Sequence, residues 1–325
     1  MNTTQFPFSP VLTGFSRDRG LGGTGAGTIL APLVRGTDLK YEYPVFEDNR
    51  GTGTIDVERA PGANVKEVQA DKFTMEGGLI KDHSIDVKSP IEYSSGAIVS
   101  QLPILKKATS KANEAIKRAH ETKVNKALWG ANLAAFQAIY GSAKVTNLTS
   151  TARWTSTAPK MRKNILDLRE KILDDTGYYP NTLLLTPELY NVITSGDNEI
   201  KDAIKYTQFG VPDMGQLARY FEVQRIVVPG VAFDTANPGV DPVYSKLWTG
   251  AHALLSYTDP NPGKDSQNLA ATFYADGQMN DKLGPFLGIQ PWYDMETKQD
   301  LLRCNAYYEE RLINAKCGGI IFNTP

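Results

Sequence analysis

At 325 residues, 41% of them hydrophobic and 22% charged, the chain has ample material for a buried core in one large domain or two intertwined ones. A formal charge of -1 selects neither nucleic acid nor membrane as a partner, and the only cysteines, Cys304 and Cys317, argue for a reducing compartment rather than a disulfide-stapled secreted domain. No apolar run approaches the roughly 18 residues of a membrane span, and the first residues lack a signal peptide's basic and apolar stretches, so the reading is a soluble protein made in a cytoplasm.

Residues 1–36 carry few charges and many breakers, among them Pro7, Pro10, Gly20, Gly22, Gly23, Gly25, Gly27 and Pro32. Such a stretch builds no helix or sheet interior. Its apolar residues Phe6, Phe8, Leu12, Phe15, Ile29 and Leu33 set it apart from a solvated tail, so it reads as an extended arm that docks on a surface. In residues 39–82, Tyr41, Tyr43 and Val45 alternate with Lys40, Glu42 and Pro44, the period of a half-buried strand. A polar tip follows at 48–64 and a returning segment at 65–76. With six basic and nine acidic residues over 40–82 (net -3), this long hairpin has too little apolar content for its own core and needs a neighbouring surface.

Alanines and isoleucines at 108, 112, 115, 116, 119, 127, 131, 135 and 139 recur near the helical period, predicting one helix over 105–140. At 1.5 Å per residue its roughly 36 residues would reach about 54 Å. It carries Lys106, Lys107, Lys111, Lys117, Arg118, Lys123 and Lys126 against Glu114 and Glu121, seven basic to two acidic (net +5). Such a face either stays solvated or makes weak, sequence-independent contact with nucleic-acid phosphate. Residues 151–288 read as compact α/β. Ile165, Leu168 and Ile172 stripe a helix stopped by Gly177, and Leu183-Leu184-Leu185 forms a buried strand. Thr186-Pro187-Glu188 opens another helix, and further helices are expected at 199–206 and 213–221. Strands are expected at 223–228 and 251–257. In the tail, 300–322, Leu302, Cys304, Ala306 and Tyr308 share one strand face, and Gly318-Gly319 is expected to turn the chain into Ile320-Ile321-Phe322.

Gly20-Leu21-Gly22-Gly23-Thr24-Gly25 fits the G-x-G-x-x-G dinucleotide pattern, which needs a strand before it and a helix after it. Arg17-Asp18-Arg19 precedes it and breakers follow, so the arm reading is favoured over a nucleotide-binding enzyme. His83, His120 and His252 have no metal-ligand spacing, and neither cysteine has a C-x-x-C partner or nearby histidine. The sequence therefore points to no catalytic residue, metal or cofactor.

Three stretches carry a resemblance: Leu183 to Tyr190 leading into Asn198-Glu199-Ile200-Lys201-Asp202; Phe221-Glu222-Val223 with Arg225-Ile226-Val227-Val228, then Leu247-Trp248 and Ala253 to Tyr257; and Cys304 to Glu310 through Gly318-Gly319-Ile320-Ile321. With the order of arm, hairpin, long helix, α/β unit and returning strand, the chain resembles the Hong Kong 97-type major capsid proteins of tailed phages over nearly its whole length. The resemblance implies an α+β capsid fold: N-terminal arm 1–38, extended hairpin loop 39–82, peripheral domain 83–150 plus 289–325 around a spine helix, and axial domain 151–288. It implies self-assembly into pentamers and hexamers of an icosahedral head, built in the bacterial cytoplasm around double-stranded DNA. Since the sequence opens directly on the arm, it also implies a separate scaffolding protein, or none, beside a portal and decoration proteins. An encapsulin-like compartment shell is the alternative. Phe6, Phe8, Leu12 and Phe15 of the arm, Tyr41, Tyr43 and Phe46 of the hairpin, and Phe209, Pro212 and Met214 of an axial loop become the expected assembly contacts. Lys106, Lys107, Lys111, Lys117 and Arg118 become the expected DNA-facing residues.

Overall fold

The computed structural model describes residues 25–36, 39–46, 73–90, 98–154, 156, 160–195, 200, 213–236, 240–241, 243–275, 287–296 and 299–323. In chain order these form α1 (Gly27–Leu30), β1 (Leu33–Arg35), β2 (Lys40–Phe46), β3 (Phe73–Leu79), β4 (Lys81–Pro90), α2 (Ile98–Leu128), α3 (Leu133–Tyr140), β5 (Val145–Leu148) and α4 (Met161–Thr176). Then follow β6 (Thr182–Leu185), α5 (Pro187–Ser195), α6 (Met214–Tyr220), β7 (Arg225–Val227), β8 (Ala232–Asp234), β9 (Tyr244–Lys246), β10 (Ala253–Ser256), β11 (Ala270–Tyr274), β12 (Leu287–Asp294), β13 (Gln299–Leu312) and β14 (Gly318–Asn323).

Two five-stranded sheets organise the chain. In the first, β13 is the central strand: it pairs antiparallel with β4, β11 and β12, and β1 adds in parallel to β11. The period-2 alternation read in the tail is realised here. Leu302, Cys304, Ala306 and Tyr308 face α2, where Ala108, Ala112 and Ile116 form one buried cluster with them. Small side chains at the i, i+4 positions 108 and 112 let the helix axis lie close to the sheet. The second sheet runs β5-β14-β10-β6-β7. Its strand β6, held between β10 and β7, is buried on both faces, which is why Leu183-Leu184-Leu185 reads as an unbroken apolar run. Leu183 and Leu185 pack under α4, with Ile165, Leu168 and Ile172. Leu184 faces a separate core that holds Leu30 of α1, Val124 and Leu128 of α2, Phe136 of α3 and Trp248. That core ties the arm-side segment, the long helix and the second sheet together.

Local signals explain several boundaries. Gly177 ends α4 in the left-handed region (φ 75), with its N–H donating to Leu173 O at 2.7 Å. Thr186 Oγ1 accepts from Leu189 N and opens α5, and Asp213 with Gln216 forms a capping box on α6. The helix expected over 105–140 is instead two. The chain leaves α2 at Leu128, and Asn132 caps α3 by accepting from Ala135 N at 2.9 Å. Tyr140 Oη donates to Leu128 O at 2.8 Å across the corner, satisfying a carbonyl at the end of α2. Gly318-Gly319 is also a correction. The pair lies inside β14, opposite Ser256 and Leu255, and the turn precedes it as a 3-10 helix at Ala315–Cys317. A Cβ at 318 would sit 2.7 Å from Leu269 Cδ1 and one at 319 2.7 Å from Leu168 Cδ1, so side chains of both cores close onto bare backbone there.

The sheets cut across the segment boundaries read from the sequence: β5 and β14 join the α/β sheet, and β11 joins the sheet under α2. The helix expected at 199–206 lies outside the described residues except for Ile200, which is buried. The hairpin tip at 48–64 lies outside them entirely. Among the described residues, no helix is long and apolar enough to cross a membrane.

Candidate assembly surfaces

The hairpin's described base is a two-stranded ribbon, β2 pairing antiparallel with β3 from Lys40↔Leu79 to Phe46↔Phe73. Alternation gives it two unlike faces. Tyr41 and Tyr43 point into the chain's own core, 1% and 3% exposed, stacked on Phe273 at 4.2 and 5.4 Å between ring centroids. Arg311 Nε donates to Tyr41 Oη at 2.9 Å, and Tyr43 Oη donates to Glu76 Oε2 at 3.1 Å. These two tyrosines, expected as assembly contacts, therefore anchor the ribbon within the subunit. The outward face belongs to β3, where Phe73, Met75 and Leu79 are 55%, 51% and 59% exposed. Their spacing was legible in the sequence, but their emergence on the solvent side depends on which face Phe273 captures. Of the remaining expected contacts, Phe6, Phe8, Leu12, Phe15, Phe209 and Pro212 lie outside the described residues. Phe46 ends β2 opposite Phe73, and Met214 is exposed at the start of α6. A second exposed apolar patch gathers on the β8–β9 hairpin and its tip, with Phe233, Val240, Val243 and Tyr244.

The end of the arm does not hang free. Residues 26–31 bury Ala26, Leu30 and Ala31 in the junction core, and β1 extends the first sheet. The anchor is Glu121, buried on α2. Its carboxylate accepts from Ala26 N at 2.7 Å, from Gly27 N at 2.6 Å and from Trp248 Nε1 at 2.8 Å. It thus holds the first amides of α1, where a helix end presents unpaired donors, while also fastening the loop that carries Trp248. Glycine is required beside it: a Cβ on Gly25 or Gly27 would lie 2.4 or 2.5 Å from Glu121 Oε2. The G-x-G-x-x-G match ends at this clamp, and the anion at the following helix turn is the chain's own carboxylate. The expectation that the breaker-rich arm builds no helix is corrected by that one turn. Sequence reasoning missed Glu121, because Glu114, Lys117, Arg118 and Asn125 on the same side of the helix make it read as one more solvated acid.

On the outer side of α2, Lys106, Lys107, Lys111 and Arg118 are exposed and Lys117 is half-buried. They share a surface broken only by Glu114, with no exposed aromatic residue beside them in the helix. That arrangement suits non-specific phosphate contact and not base stacking.

Two of the histidines, His120 and His252, do separate structural work. His120 Nε2 donates to Thr272 Oγ1 at 2.9 Å, and Thr272 in turn donates to Ala31 O at 3.1 Å. His252 Nδ1 accepts from Asn323 N at 3.2 Å, and its ring stacks on Phe322. Burial pulls both pKa values down to about 4. Cys304 and Cys317 are buried and unbridged, and burial pushes the Cys317 thiol up to about 12. Among the described residues, no three His, Cys, Asp or Glu side chains gather as a metal site.

No family model matches the chain. Over 251 residues it is 25% identical to the major capsid protein of Burkholderia phage BcepMu, covering 76% of this chain and 75% of that one. A phage-related protein from Bordetella bronchiseptica RB50 superimposes with a TM-score of 0.75 at 20% identity, over 99% of both chains. The virus-like particle of Pyrococcus furiosus follows at 0.53 and 8% identity, over 96% of both. The SrpI encapsulin complex of Synechococcus elongatus PCC 7942 gives 0.51 and 8%, over 94% of this chain and 89% of that one. The chain therefore has the mixed α+β fold of these structures and is related in sequence to a phage major capsid protein.

Proposed function

We propose that this chain is the structural subunit of a phage capsid, of the Hong Kong 97-type, and acts by assembling with copies of itself. The observation that carries the reading is the ribbon at 40–79: one face is locked into the subunit's core, and the other offers Phe73, Met75 and Leu79 to solvent. A lone monomer gains nothing from exposing three large apolar side chains on one short strand, whereas a neighbouring subunit buries them. The relationship to a phage major capsid protein supports the same reading. In it, pentamers and hexamers build an icosahedral head in the host cytoplasm, with the arm ahead of its anchored end at 25–36, and the hairpin, reaching onto neighbours and 151–288 meeting around the axes. A scaffolding protein, a portal and decoration proteins are its expected partners. Each contact is modest, but a closed shell holds every subunit by several at once.

Replacing Phe73, Met75 and Leu79 together with serine is expected to leave the circular dichroism spectrum unchanged and to abolish particles under electron microscopy. Normal particles from the triple variant would overturn the assignment of this face.

The exposed lysines of α2 add a second element, non-specific contact with enclosed double-stranded DNA. Substituting Lys106, Lys107 and Lys111 with glutamine should flatten the salt dependence of DNA binding by nearly one unit of slope per lost phosphate contact. An unchanged slope would leave those lysines as a solvated face. The likeness to the encapsulin fold keeps a cargo compartment as the alternative; purified particles containing protein cargo instead of DNA would decide for it.

A further inference from the structure

A cleft of about 700 Å³ opens where the α2–α3 corner, the loop after Trp248, the start of α5 and the end of β14 meet. Its wall is aromatic and held in place. Trp129 donates from Nε1 to Thr249 O at 3.2 Å and meets Trp248 and Phe136 edge-on. The wall continues through His252, 5.9 Å from Trp129 between ring centroids, to Phe322, which stacks on the imidazole at 4.3 Å. The lining also holds an unmet donor and an acid. Asn125 Nδ2 is buried and has no acceptor among the described residues. Glu188, in the first turn of α5, is exposed, with Lys246 Nζ 4.0 Å from its carboxylate. Gly250, at φ 84, leaves its side of the cleft bare, because a Cβ there would lie 2.6 Å from His252 Nε2.

These groups suit an extended peptide that carries an aromatic residue and a cation two positions apart. Residues i and i+2 of an extended chain share one side, about 7 Å apart. A ring can then pack on Trp129 and His252 while the cation reaches Glu188, and a main-chain carbonyl gives Asn125 Nδ2 its acceptor. Within residues 1–24, Phe15-Ser16-Arg17 is the single triplet of aromatic, any residue, base. The arm is also clamped beside the cleft. Trp248 Nε1 donates to Glu121, the carboxylate that holds Ala26 N and Gly27 N, and the neighbouring Leu247 and Thr249 line the cleft. From Gly25 to Phe15 an extended chain covers about 34 Å, so an arm running outward from its clamp carries the triplet past its own cleft.

Resting on the capsid reading, in which the arm ahead of its clamp reaches a neighbour, we propose that the cleft receives the arm of a second copy. Phe15 packs against Trp129 and His252, and Arg17 pairs with Glu188. The loop around Trp248 then holds its own arm through the indole N–H and receives another's through the residues beside it.

A charge exchange in the full chain tests the pairing, and the exposure of Glu188 lets Glu188→Arg keep the packing of α5, as circular dichroism would verify. Particles are counted by electron microscopy at equal expression. E188R and R17E should each give at least tenfold fewer particles than wild type, and the double variant should return to within twofold. A normal yield from either single variant, or a double variant no better than the singles, would overturn the pairing. Contact is read directly with a photoreactive benzoylphenylalanine in place of Phe15, in particles reassembled from equal amounts of light- and heavy-nitrogen chains. Adducts should fall on peptides containing Trp129 or His252, about half of them joining a light chain to a heavy one. Adducts elsewhere, or only within one label, refute the second copy's arm as the occupant. Wild-type chains that form no particles would instead sink the capsid reading beneath it.

Discussion

Glu121→Ala is expected to destabilise the chain by about 4 kcal/mol, far more than the removal of one exposed ion pair. Three buried donors, Ala26 N, Gly27 N and Trp248 Nε1, lose their acceptor together. Each buried donor left unsatisfied costs roughly 1–3 kcal/mol, and relief from burying the carboxylate offsets part of the sum. Because the clamp joins α1, α2 and the Trp248 loop, the loss should appear both in global denaturation by urea and as cleavage of residues 25–36 by protease under native conditions. Glu121→Gln keeps the shape and one acceptor oxygen but turns an NH2 toward a donor, so about half the effect is expected. Gly27→Val should approach the alanine variant, since its Cβ would start 2.5 Å from Glu121 Oε2 and 3.0 Å from His120 Nδ1. A Glu121→Ala chain within 1 kcal/mol of wild type would show that these donors find other acceptors and would falsify the clamp.

Acid should loosen the same junction. His120 and His252 are buried neutral, with folded-state pKa values near 4 against an ordinary value of 6.5. A folded pKa below the unfolded one means the unfolded chain binds protons first, so stability is intact above about pH 6.5 and falls as pH drops toward 4. At 1.36 kcal/mol per unit, each histidine contributes about 3 kcal/mol of loss by pH 4. Glu310 works in the opposite direction. Its folded pKa is raised to about 7 from 4.5, so the folded chain takes up that proton first and recovers about 3 kcal/mol over pH 7 to 4.5. The net expectation is a loss of about 3 kcal/mol between pH 7 and 4, measured by urea denaturation at each pH. In Glu310→Gln the compensation is gone and the fall should roughly double. An equal pH dependence in wild type and E310Q would mean that the carboxylate is not buried in its charged form.

Much of this protein was legible before any fold was known, and the reasons are local. The cap at Thr186, the stop at Gly177 and the doubly buried strand at 183–185 depend on residues within a few positions of one another. The alternation in β2 and β13 and the close seat of Ala108 and Ala112 on the sheet follow from periodicity alone. The break between α2 and α3 was missed because alanines on both sides keep the helical period, and only Asn132 and the distant Tyr140 hydroxyl mark the corner. What the chain's own order could not say is which of two faces meets a partner. Tyr41 and Tyr43 and the Phe73, Met75 and Leu79 row are equally apolar in sequence. Phe273, more than 190 residues away, draws the tyrosines inward and so leaves the other row outside. The same holds for Glu121, an ordinary helix acid until Gly27 and Trp248 converge on it from 94 and 127 positions away. Burial and hydrogen bonding of a polar group are properties of its surroundings, and for these residues only the tertiary structure supplies them.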